Sequence, residues 1–444
     1  MRVDLRRLLQ LDTVLVALAL VFLTMANVSH TVALRYAILG VLLLACLPDL
    51  RVDRPLRLPA LLLGGFVAYA VLHAVLLSHW TEYALTEIYS QLLIGALWFV
   101  VGAILFRRRL PVSIMDLVVM AGMSLAAVEF LHGAYQFWTS GEWPYMVTFT
   151  TETKLEFTFF MNFVLAFVAT AFCFDGTGKE RLSCLPRWAL AAIGLLILFV
   201  SLKAGARNGM IGLVYLCFSM LVIFMLFDGA RLGWRKAVLL AVLVVAAVGA
   251  VAGYAFKEDT RNQVFLESAR AGWNYPATKA WLRIAPYPLM HDGRTVDESA
   301  YERVAWIHSG LDLIIARPEG YGFARNAFSL ALSETGHPNN VGHSHSGFID
   351  WGVGLGLPGL LLWLAFCATL LGFGYRAFRQ RREILGLMLM LVTAGYLGRM
   401  LMESVNKDHM LYLFLFTAGA LLAEIHRRDP ALAAGNGGQA RQMI

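Results

Sequence analysis

The sequence is poor in charge and in organised cysteine. Only 15% of its 444 residues are charged, against about 25% in an average soluble domain, and 59% are hydrophobic. The five cysteines form no CxxC pair, and they lie in or beside apolar runs or in a loop that we assign to the cytoplasm: Cys46, Cys173, Cys184, Cys217 and Cys367. Neither a soluble enzyme with one large core nor a disulfide framework is expected.

Long apolar runs take up most of the chain. A run of about 17–25 residues is long enough to cross a bilayer as a helix. We count twelve, at 11–28, 31–47, 58–77, 87–106, 112–131, 156–174, 187–203, 209–227, 236–256, 347–373, 384–401 and 409–426. No small-residue cleavage site follows the first run, so we interpret it as an anchor rather than a removed signal peptide. The prediction is an all-α, polytopic membrane protein.

The net charge is +7, and the basic residues are unevenly distributed among the loops. Alternate loops carry most of the basic residues, at 2–7, 51–57, 107–109, 179–187, 231–236, 376–382 and 427–441. The other short loops hold little beyond Lys154, Lys203, Arg207 and Lys407. The positive-inside rule then places both termini in the cytoplasm. We therefore read the basic charge as topology and expect no nucleic acid partner.

Four parts follow from this map. Residues 1–256 hold spans one to nine, 257–346 form a long periplasmic loop, 347–426 hold spans ten to twelve, and 427–444 form a cytoplasmic tail. The loop is far longer than the usual connection of about 4–6 residues, and loops of that length are generally functional. It contains a helical signal, DESAYERVAWIHSGLDLIIARP, that ends at Pro318. The loop is therefore expected to be partly helical and to carry catalytic elements.

Three histidines, His337, His343 and His345, crowd a Gly/Asn/Ser-rich stretch that runs into an apolar helix predicted to begin near Phe348. They have three interpretations: metal ligands, structural caps, or a general base with a pKa near neutrality. An HxH pair without a spaced carboxylate or thiolate set gives a metal little support. We favour His345 as the base, because it adjoins the helix and is held more rigidly than His337.

Arg207 lies in SLKAGARNGMIGL, between two apolar runs that only a few residues separate. A desolvated arginine at such a junction normally has an anionic partner, although an interfacial arginine can also snorkel to water. We favour an anion site, because small residues flank Arg207 and the amides of the next helix could add to a phosphate site. Lys203 either assists or is a second interfacial charge.

Arg303 lies in the predicted loop helix, where Tyr301, Val304 or Ala305, Ile307, His308 and Leu311 recur at amphipathic spacing. It is either an anion-binding group or a partner of Glu302 or Asp312 on a solvated face. Arg317 and Arg325 are similar, weaker candidates. The segment Pro318-Glu319-Gly320-Tyr321-Gly322 is expected to end this helix.

Charged residues inside apolar runs, such as Arg35, Glu129 and Arg399, are functional candidates by default. A secondary transporter could use them as a charged pathway. Such proteins often show inverted repeats with paired broken helices, and we find none by eye. The transporter stays open as the alternative from a different functional class.

Taken together, these motifs resemble the O-antigen ligase and polymerase superfamily, with O-antigen ligase the nearest match. His345-Ser346 is followed by nine residues and then by Gly356-Leu357-Pro358-Gly359. Lys203-Ala-Gly-Ala-Arg207 is similar to the family's arginine segment, with Ala206 where that family usually has serine. Arg303-x-x-Trp306 and Pro318-x-Gly-x-Gly322 resemble the segment that precedes the family's histidine.

The resemblance implies a membrane-embedded glycosyltransferase of the type C-like class. It would transfer O-antigen polysaccharide from undecaprenyl diphosphate to lipid A-core, at the periplasmic face of the bacterial inner membrane. The implied catalytic residues are Arg207, Arg303 and His345, and further candidates for substrate binding are Lys203, His343, Trp306 and Arg325. The implied partners are the lipid-linked donor, the lipid A-core acceptor and membrane lipids.

The residue chemistry agrees with this mechanism. A departing sugar diphosphate develops negative charge, which fixed guanidinium groups can stabilise where no metal is expected. His345 can take the proton of the acceptor hydroxyl, and direct attack would invert the anomeric carbon. We therefore predict an inverting enzyme without metal or cofactor. An O-antigen polymerase and a protein O-oligosaccharyltransferase remain the close alternatives.

Overall fold

A computed structural model describes residues 11–50, 54–174, 182–205, 233–258 and 264–429, together with 212, 214, 216–219 and 221. The regular secondary structure of these residues is helical, and they form no strand beyond one isolated bridge between Leu289 and Thr295. The helices are α1 Leu11–Met25, α2 Val32–Cys46, α3 Arg54–Leu76, α4 Thr81–Glu87, α5 Ile94–Leu105, α6 Ile114–Ser140, α7 Lys154–Phe174, α8 Arg187–Ala204, α9 Trp234–Glu258, α10 Phe265–Trp273, α11 Glu298–Ala316, α12 Ala327–Glu334, α13 Gly347–Arg381, α14 Ile384–Met400 and α15 Asp408–Arg427.

Eight helical segments within the described ranges are long and apolar enough to cross a membrane. They are Val32–Asp49, Leu56–Leu76, Thr81–Leu105, Ile114–Ser140, Lys154–Phe174, Arg187–Ala204, Gly347–Arg381 and Asp408–Arg427. The chain is therefore a multi-pass membrane protein. Helices also cover the predicted spans at 11–28, 236–256 and 384–401, and the count of twelve crossings stays a prediction. Most of the predicted span 209–227, Arg207 and the tail from residue 430 lie outside the described residues.

The centre of the bundle is the pair α5 and α15. Gly102 and Gly419 allow their backbones to touch, because a Cβ on either glycine would lie 2.2 Å from a carbonyl oxygen of the other helix. Helices in a bilayer often associate through small residues that let their backbones approach closely. Packing matters there because the hydrophobic effect does not drive a helix from lipid onto another helix. Trp98 stacks on Phe22 beside this contact, with ring centroids 3.5 Å apart, and extends the core to α1.

The loops fall into two groups, one at each end of the helices. Loops of the same group contact one another. At one end Arg108 pairs with Asp49, Ser113 donates to the Leu182 carbonyl, and Arg381 pairs with Asp429. At the other end Met146 donates to the Lys203 carbonyl, Arg317 to the Leu77 carbonyl, and Gly347 to the Glu403 carbonyl. The grouping agrees with the predicted alternation of basic loops. Which end faces the cytoplasm stays a prediction.

The segment 264–346 contains a folded body with a core of its own. Its buried residues include Trp281, Tyr301, Trp306 and Phe328, and they pack against the first two turns of α13. Helix α11 begins at an N-cap, Asp297, whose side chain accepts a hydrogen bond from the Ala300 amide. The prediction of a partly helical long loop agrees with this body.

The predicted amphipathic face of α11 was only partly right. Leu311 is exposed, whereas Glu302, Ser309 and Gly310 are buried together with Tyr301 and Trp306. The buried side of this helix includes small and polar residues, and a hydrophobic pattern does not mark those. The face that packs is therefore rotated from the face that the apolar spacing suggested.

Candidate functional site

Two glycines join the folded body within residues 264–346 to the membrane helix that follows it. Gly320 and Gly356 both have positive φ, 91° and 68°, a region that costs glycine little. A Cβ on Gly320 would lie 2.4 Å from the Gly356 nitrogen, so no larger residue fits without a backbone shift. Gly356 also interrupts the helical dihedrals of α13, which is therefore two helices joined at a kink.

The kink frees backbone groups, and the segment 318–322 binds them. The amides of Tyr321 and Gly322 donate to the carbonyls of residues 353 and 354, at 2.8 and 2.9 Å. The amide of Leu357, beyond the kink, donates to the Pro318 carbonyl at 2.8 Å. The ends of the two half-helices are thereby satisfied without water. The Pro-x-Gly-x-Gly segment and the Gly-Leu-Pro-Gly segment are thus two halves of one joint.

Two loops meet beside this joint, residues 343–346 before α13 and residues 401–407 between α14 and α15. Asp350, in the first turn of α13, ties them together. Its carboxylate accepts hydrogen bonds from the amide and hydroxyl of Ser344 and from the hydroxyl of Ser404. The Gly347 amide adds a bond to the Glu403 carbonyl at 3.2 Å. Asp350 is buried, and buried carboxylates are stable only when bonded in this way.

His345 faces Glu403 across the junction of these loops. Its Nδ1 lies 2.8 Å from Oε1 of Glu403. Because a carboxylate only accepts, Nδ1 carries the proton and Nε2 keeps the lone pair. The backbone of His345 has φ 55°, in the left-handed region that a residue with a Cβ rarely adopts. Backbone strain of this kind clusters at functional sites, where surrounding contacts hold it in place.

Arg303, on α11, points to the same carboxylate. Its Nη2 lies 3.5 Å from Oε2 of Glu403, and about a quarter of its side chain is exposed. The alternative partners are engaged elsewhere. Arg283 grips Glu302 with two hydrogen bonds of 2.7 and 2.8 Å, and Asp312 accepts from the Tyr275 hydroxyl. Arg303 therefore belongs to the His345 cluster and not to a solvated face with Glu302.

Glu403 is the acidic centre of this cluster. Burial by itself raises the pKa of Glu403, but the hydrogen bond from His345 and the nearby charges of Arg303 and Arg399 outweigh it. The net pKa lies below the ordinary value of a glutamate, so the group is an anion at neutral pH. An anion here accepts the hydrogen bond from Nδ1 of His345 and so fixes the tautomer of the ring.

Trp306 supports His345 from the side. The two rings are nearly parallel, with an interplanar angle of 12° and centroids 5.5 Å apart. Trp306 is almost fully buried, and its indole nitrogen donates to the Trp281 carbonyl at 2.8 Å. The Arg283 guanidinium lies 4.9 Å from the centroid of Trp306. Trp306 therefore packs behind the histidine, and its part in substrate binding stays a prediction.

His343 lies beside His345, with ring centroids 4.3 Å apart. Burial, with the charge of Lys407 second, lowers the pKa of His343 to about 4. The side chains of His343, His345 and Glu403 offer three ligand atoms within 4.8 Å of one another, which is a spacing that could hold a metal ion. Glu403, however, is already bonded by His345 and lies next to the Arg303 cation. That positive charge disfavours a second cation at the same carboxylate.

Comparison with known families adds to this geometry. Residues 189–364 match the family model described as O-antigen ligase. This part of the chain is similar to the O-antigen ligase family. No curated protein matches the sequence. The match confirms the resemblance that the sequence motifs indicated.

The region that matches the O-antigen ligase family model contains Arg303, His343 and His345, together with both halves of the glycine joint. Glu403 and Arg399 lie beyond its C-terminal limit. The site is therefore assembled from the family domain and from the two helices that follow it. This division explains why motifs of the domain alone identify only part of the cluster.

Two further predicted residues of the O-antigen ligase family domain lie apart from His345. Lys203, at the end of α8, lines a small cavity of about 30 Å3 with Glu129 and His132. Arg325 is half exposed and pairs with Asp408, at the start of α15. Neither has a contact with His345 among the described residues. Substrate binding by these two stays a prediction.

Of the three charged residues considered for a transport pathway, Glu129 is a loop anchor. Its carboxylate accepts hydrogen bonds from the amides of Phe149 and Thr150 and from the Thr150 hydroxyl. Arg399 lies next to the His345 cluster, and its charge acts on Glu403. Arg35 has a buried Nε with no partner among the described residues. Glu129 is thus committed to structure, which weakens the transporter reading.

Sequence reasoning missed Glu403 and Asp350. Glu403 stands in a short polar loop, MESVNKD, that looks like an ordinary connection. Asp350 lies three residues inside an apolar helix, and a charge in that position is a signal that could have been followed. The sequence does not show these partners, because the contacts of Glu403 with His345 and of Asp350 with Ser404 join segments far apart along the chain.

Proposed function

We propose that this protein transfers a lipid-linked polysaccharide from undecaprenyl diphosphate to a sugar hydroxyl of lipid A-core. The observation that carries the proposal is the cluster of His345, Glu403 and Arg303, which combines an oriented base with a fixed cation at the end of a membrane bundle. The O-antigen ligase family domain supports the reaction class. The donor, the acceptor and the direction of transfer are parts of the proposal.

In the proposed reaction His345 acts as the general base. Its Nε2 takes the proton of the acceptor hydroxyl while the hydroxyl oxygen attacks the anomeric carbon of the donor sugar. Glu403 holds the ring through Nδ1 and stabilises the imidazolium that forms, as the carboxylate does in other histidine-based sites. About a quarter of the His345 side chain is exposed, which leaves it reachable.

The leaving group is undecaprenyl diphosphate. The bond between the anomeric carbon and the phosphate oxygen breaks, and the electron pair departs with the diphosphate. Arg303 is placed to offset this charge, and Arg207 is proposed as the second guanidinium. Arginine suits the role because it stays protonated and matches phosphate oxygens in a forked geometry. A single displacement of this kind inverts the sugar's configuration.

We propose that the reaction needs no metal. The only metal-like grouping in the described residues, His343, His345 and Glu403, uses the same carboxylate that orients His345. Binding an ion there would remove Glu403 from the histidine. Fixed guanidinium groups supply the positive charge instead.

We further propose that the site faces the periplasm of the bacterial inner membrane, with both termini in the cytoplasm. The support is the alternation of arginine-rich loops and the contacts that gather the other loops around His345. Lipid-linked glycans assembled for the cell surface are used on that side. Epitope tags at the two ends, tested for access in intact and permeabilised cells, check this orientation.

Lipopolysaccharide from cells that lack the protein tests the function. A ligase predicts core without O-chains and long polymer retained on the lipid carrier, with recovery by wild-type protein and none by His345→Ala. Core that bears a single repeat unit would identify a polymerase. Normal lipopolysaccharide together with unglycosylated secreted protein would identify a protein O-oligosaccharyltransferase. Normal lipopolysaccharide and no glycan change would contradict the proposal.

A further inference from the structure

An apolar cavity lies inside the membrane region, close to the His345 cluster. Its volume is about 290 Å3, and its walls are α7, α14 and the described residues Gly212, Leu216 and Ser219. Most of the lining is phenylalanine, leucine, valine and glycine, and the polar exceptions include Asn162 and Arg399. A cavity lined in this way favours an alkyl or prenyl chain over a sugar.

Arg399, near the end of α14, is the charged residue of this cavity. Only 9% of it is exposed. Its Nη2 donates to the Leu155 carbonyl at 3.3 Å, but its Nε and Nη1 are buried and meet no acceptor among the described residues. A guanidinium has five N–H donors and cannot lose its charge, so unfilled donors in an apolar site are costly unless an anion takes them.

We propose that this cavity binds the phosphate-bearing end of an anionic lipid, with the phosphate on Arg399 and the first part of the apolar chain between α7 and α14. Ligand cavities usually measure about 300–1,000 Å3, so a space of this size holds only the part of the chain next to the phosphate. The rest of the lipid extends into the bilayer. The planar guanidinium can offer two parallel donors to phosphate oxygens.

Arg399 links the cavity to the cluster of His345 and Glu403. Its charge is one of those that act on Glu403, the residue bonded to His345. A lipid phosphate on Arg399 therefore sits in the same charge cluster as the base. That this lipid is the glycan donor rests on the function proposed above, whereas the binding of an anionic lipid does not.

Glycines on α14 allow the cavity to be filled without disturbing its walls. A Cβ on Gly395, which lines the cavity, meets no atom within 4 Å, so a Gly395→Leu side chain has room to occupy the lipid's place. Gly372 on α13 offers the matched control. It also meets no atom within 4 Å, and it is not part of the cavity lining.

The test is lipid binding by full-length protein in nanodiscs of neutral lipid, measured by native mass spectrometry. The probes are undecaprenyl phosphate, phosphatidylglycerol and inorganic pyrophosphate. We expect Arg399→Gln and Gly395→Leu each to weaken undecaprenyl phosphate binding by about 10-fold to 100-fold, the range for losing a charge-assisted contact. Arg399→Lys should recover part of the affinity, and Gly372→Leu should bind as wild type does.

The probes separate the sources of the phosphate. Tighter binding of undecaprenyl phosphate than of phosphatidylglycerol supports a polyprenyl donor, and equal binding supports a bilayer phospholipid at the same site. Pyrophosphate bound as tightly as either lipid would overturn the role of the apolar walls. Unchanged lipid binding in both Arg399→Gln and Gly395→Leu would overturn the inference.

Transfer assays on the same variants keep the two proposals apart. If His345→Ala abolishes glycan transfer but still binds lipid, both stand. The wild-type protein could bind lipid through Arg399 while cells that lack the protein still make normal lipopolysaccharide. In that case the proposed function fails and the lipid site remains. If transfer depends on His345 but not on Arg399 or Gly395, the assignment of this lipid as the glycan donor fails, and the binding measurements alone decide the lipid site.

Discussion

The Nδ1 atom of His345 lies 2.8 Å from Oε1 of Glu403, although 58 residues separate the two along the chain. This bond fixes the proton on Nδ1 and leaves the lone pair on Nε2 for the acceptor hydroxyl. It also joins the loop before α13 to the loop after α14. The geometry of the proposed catalytic site therefore depends on the packing of the helices that carry these loops.

Replacing Glu403 should leave the protein folded but lower its rate of glycan transfer. In Glu403→Gln the amide can still bond to His345, but it no longer stabilises the imidazolium or fixes one tautomer. We expect transfer to fall by about a hundredfold to ten-thousandfold, the range for losing base catalysis or its orienting carboxylate. The measurement is the rate of glycan transfer to core by purified protein.

Glu383→Gln is the control for this substitution, because Glu383 caps the start of α14 outside the cluster. It should transfer at the wild-type rate. Equal rates for Glu403→Gln and wild type would show that the bond to His345 has no catalytic role.

Arg303 should be needed for its charge and also for its shape. Arg303→Ala removes the cation from the leaving diphosphate, and we expect a loss of about a hundredfold or more, as for other groups that stabilise a transition-state charge. Arg303→Lys should recover little, because an ammonium cannot reproduce the forked geometry. Arg294→Ala, at an exposed arginine of the same loop, is the matched control and should be near wild type. Full activity in Arg303→Ala would remove this residue from the mechanism.

His343 should make stability sensitive to acid. Burial, with Lys407 second, lowers the pKa of His343 to about 4 in the folded protein, below its value of 6.5 when unfolded. Between these values the unfolded chain binds the proton and the folded protein does not, so stability falls as the pH drops from about 6.5 to about 4. Below about 4 both states are protonated and the loss levels off.

The check is the thermal midpoint of wild type and His343→Gln between pH 7.5 and pH 5. We expect the wild-type midpoint to fall more on acidification than that of the variant, which lacks the titrating group. His291→Gln, at an exposed histidine, should follow wild type. Parallel curves for wild type and His343→Gln would contradict the assignment.

Gly320→Ala should open the joint between the folded body within residues 264–346 and α13. The new Cβ would meet the Gly356 nitrogen at 2.4 Å, and the backbone has φ 91°. We expect a loss of at least about 1–3 kcal/mol, the cost of a strained backbone position. Gly372→Ala, in open space on α13, should have little effect. The measurement is again the thermal midpoint, and a Gly320→Ala protein as stable as Gly372→Ala would refute the joint.

Chelation should leave transfer unchanged. Since Glu403 serves His345 and Arg303, we expect EDTA-treated protein to keep its rate and added magnesium or manganese to change it little. Direct metal analysis of the purified protein accompanies the assay. Activity that disappears with EDTA and returns with a divalent ion would instead assign His343, His345 and Glu403 to a metal site.

Much of the fold could be predicted because its signals are local. A bilayer requires each crossing helix to be long and apolar, and that requirement is written in consecutive residues. Within the described residues, helices therefore lie where the apolar runs predicted them, and the long loop contains helix α11 where DESAYERVAWIHSGLDLIIA marks it. His345 and Arg303 could also be chosen, because a histidine at a helix start and an arginine before it stand out by type.

The rest of the site was decided by tertiary structure. In the sequence Glu403 looks like an ordinary loop residue, and only the packing of α14 brings it to His345. Burial of Trp306 is likewise visible only in the folded protein. The buried face of α11 includes Glu302 and Gly310, which no hydrophobic pattern selects. The sequence by itself determined which segments are helices in a membrane, whereas partners far apart along the chain depend on how those helices pack.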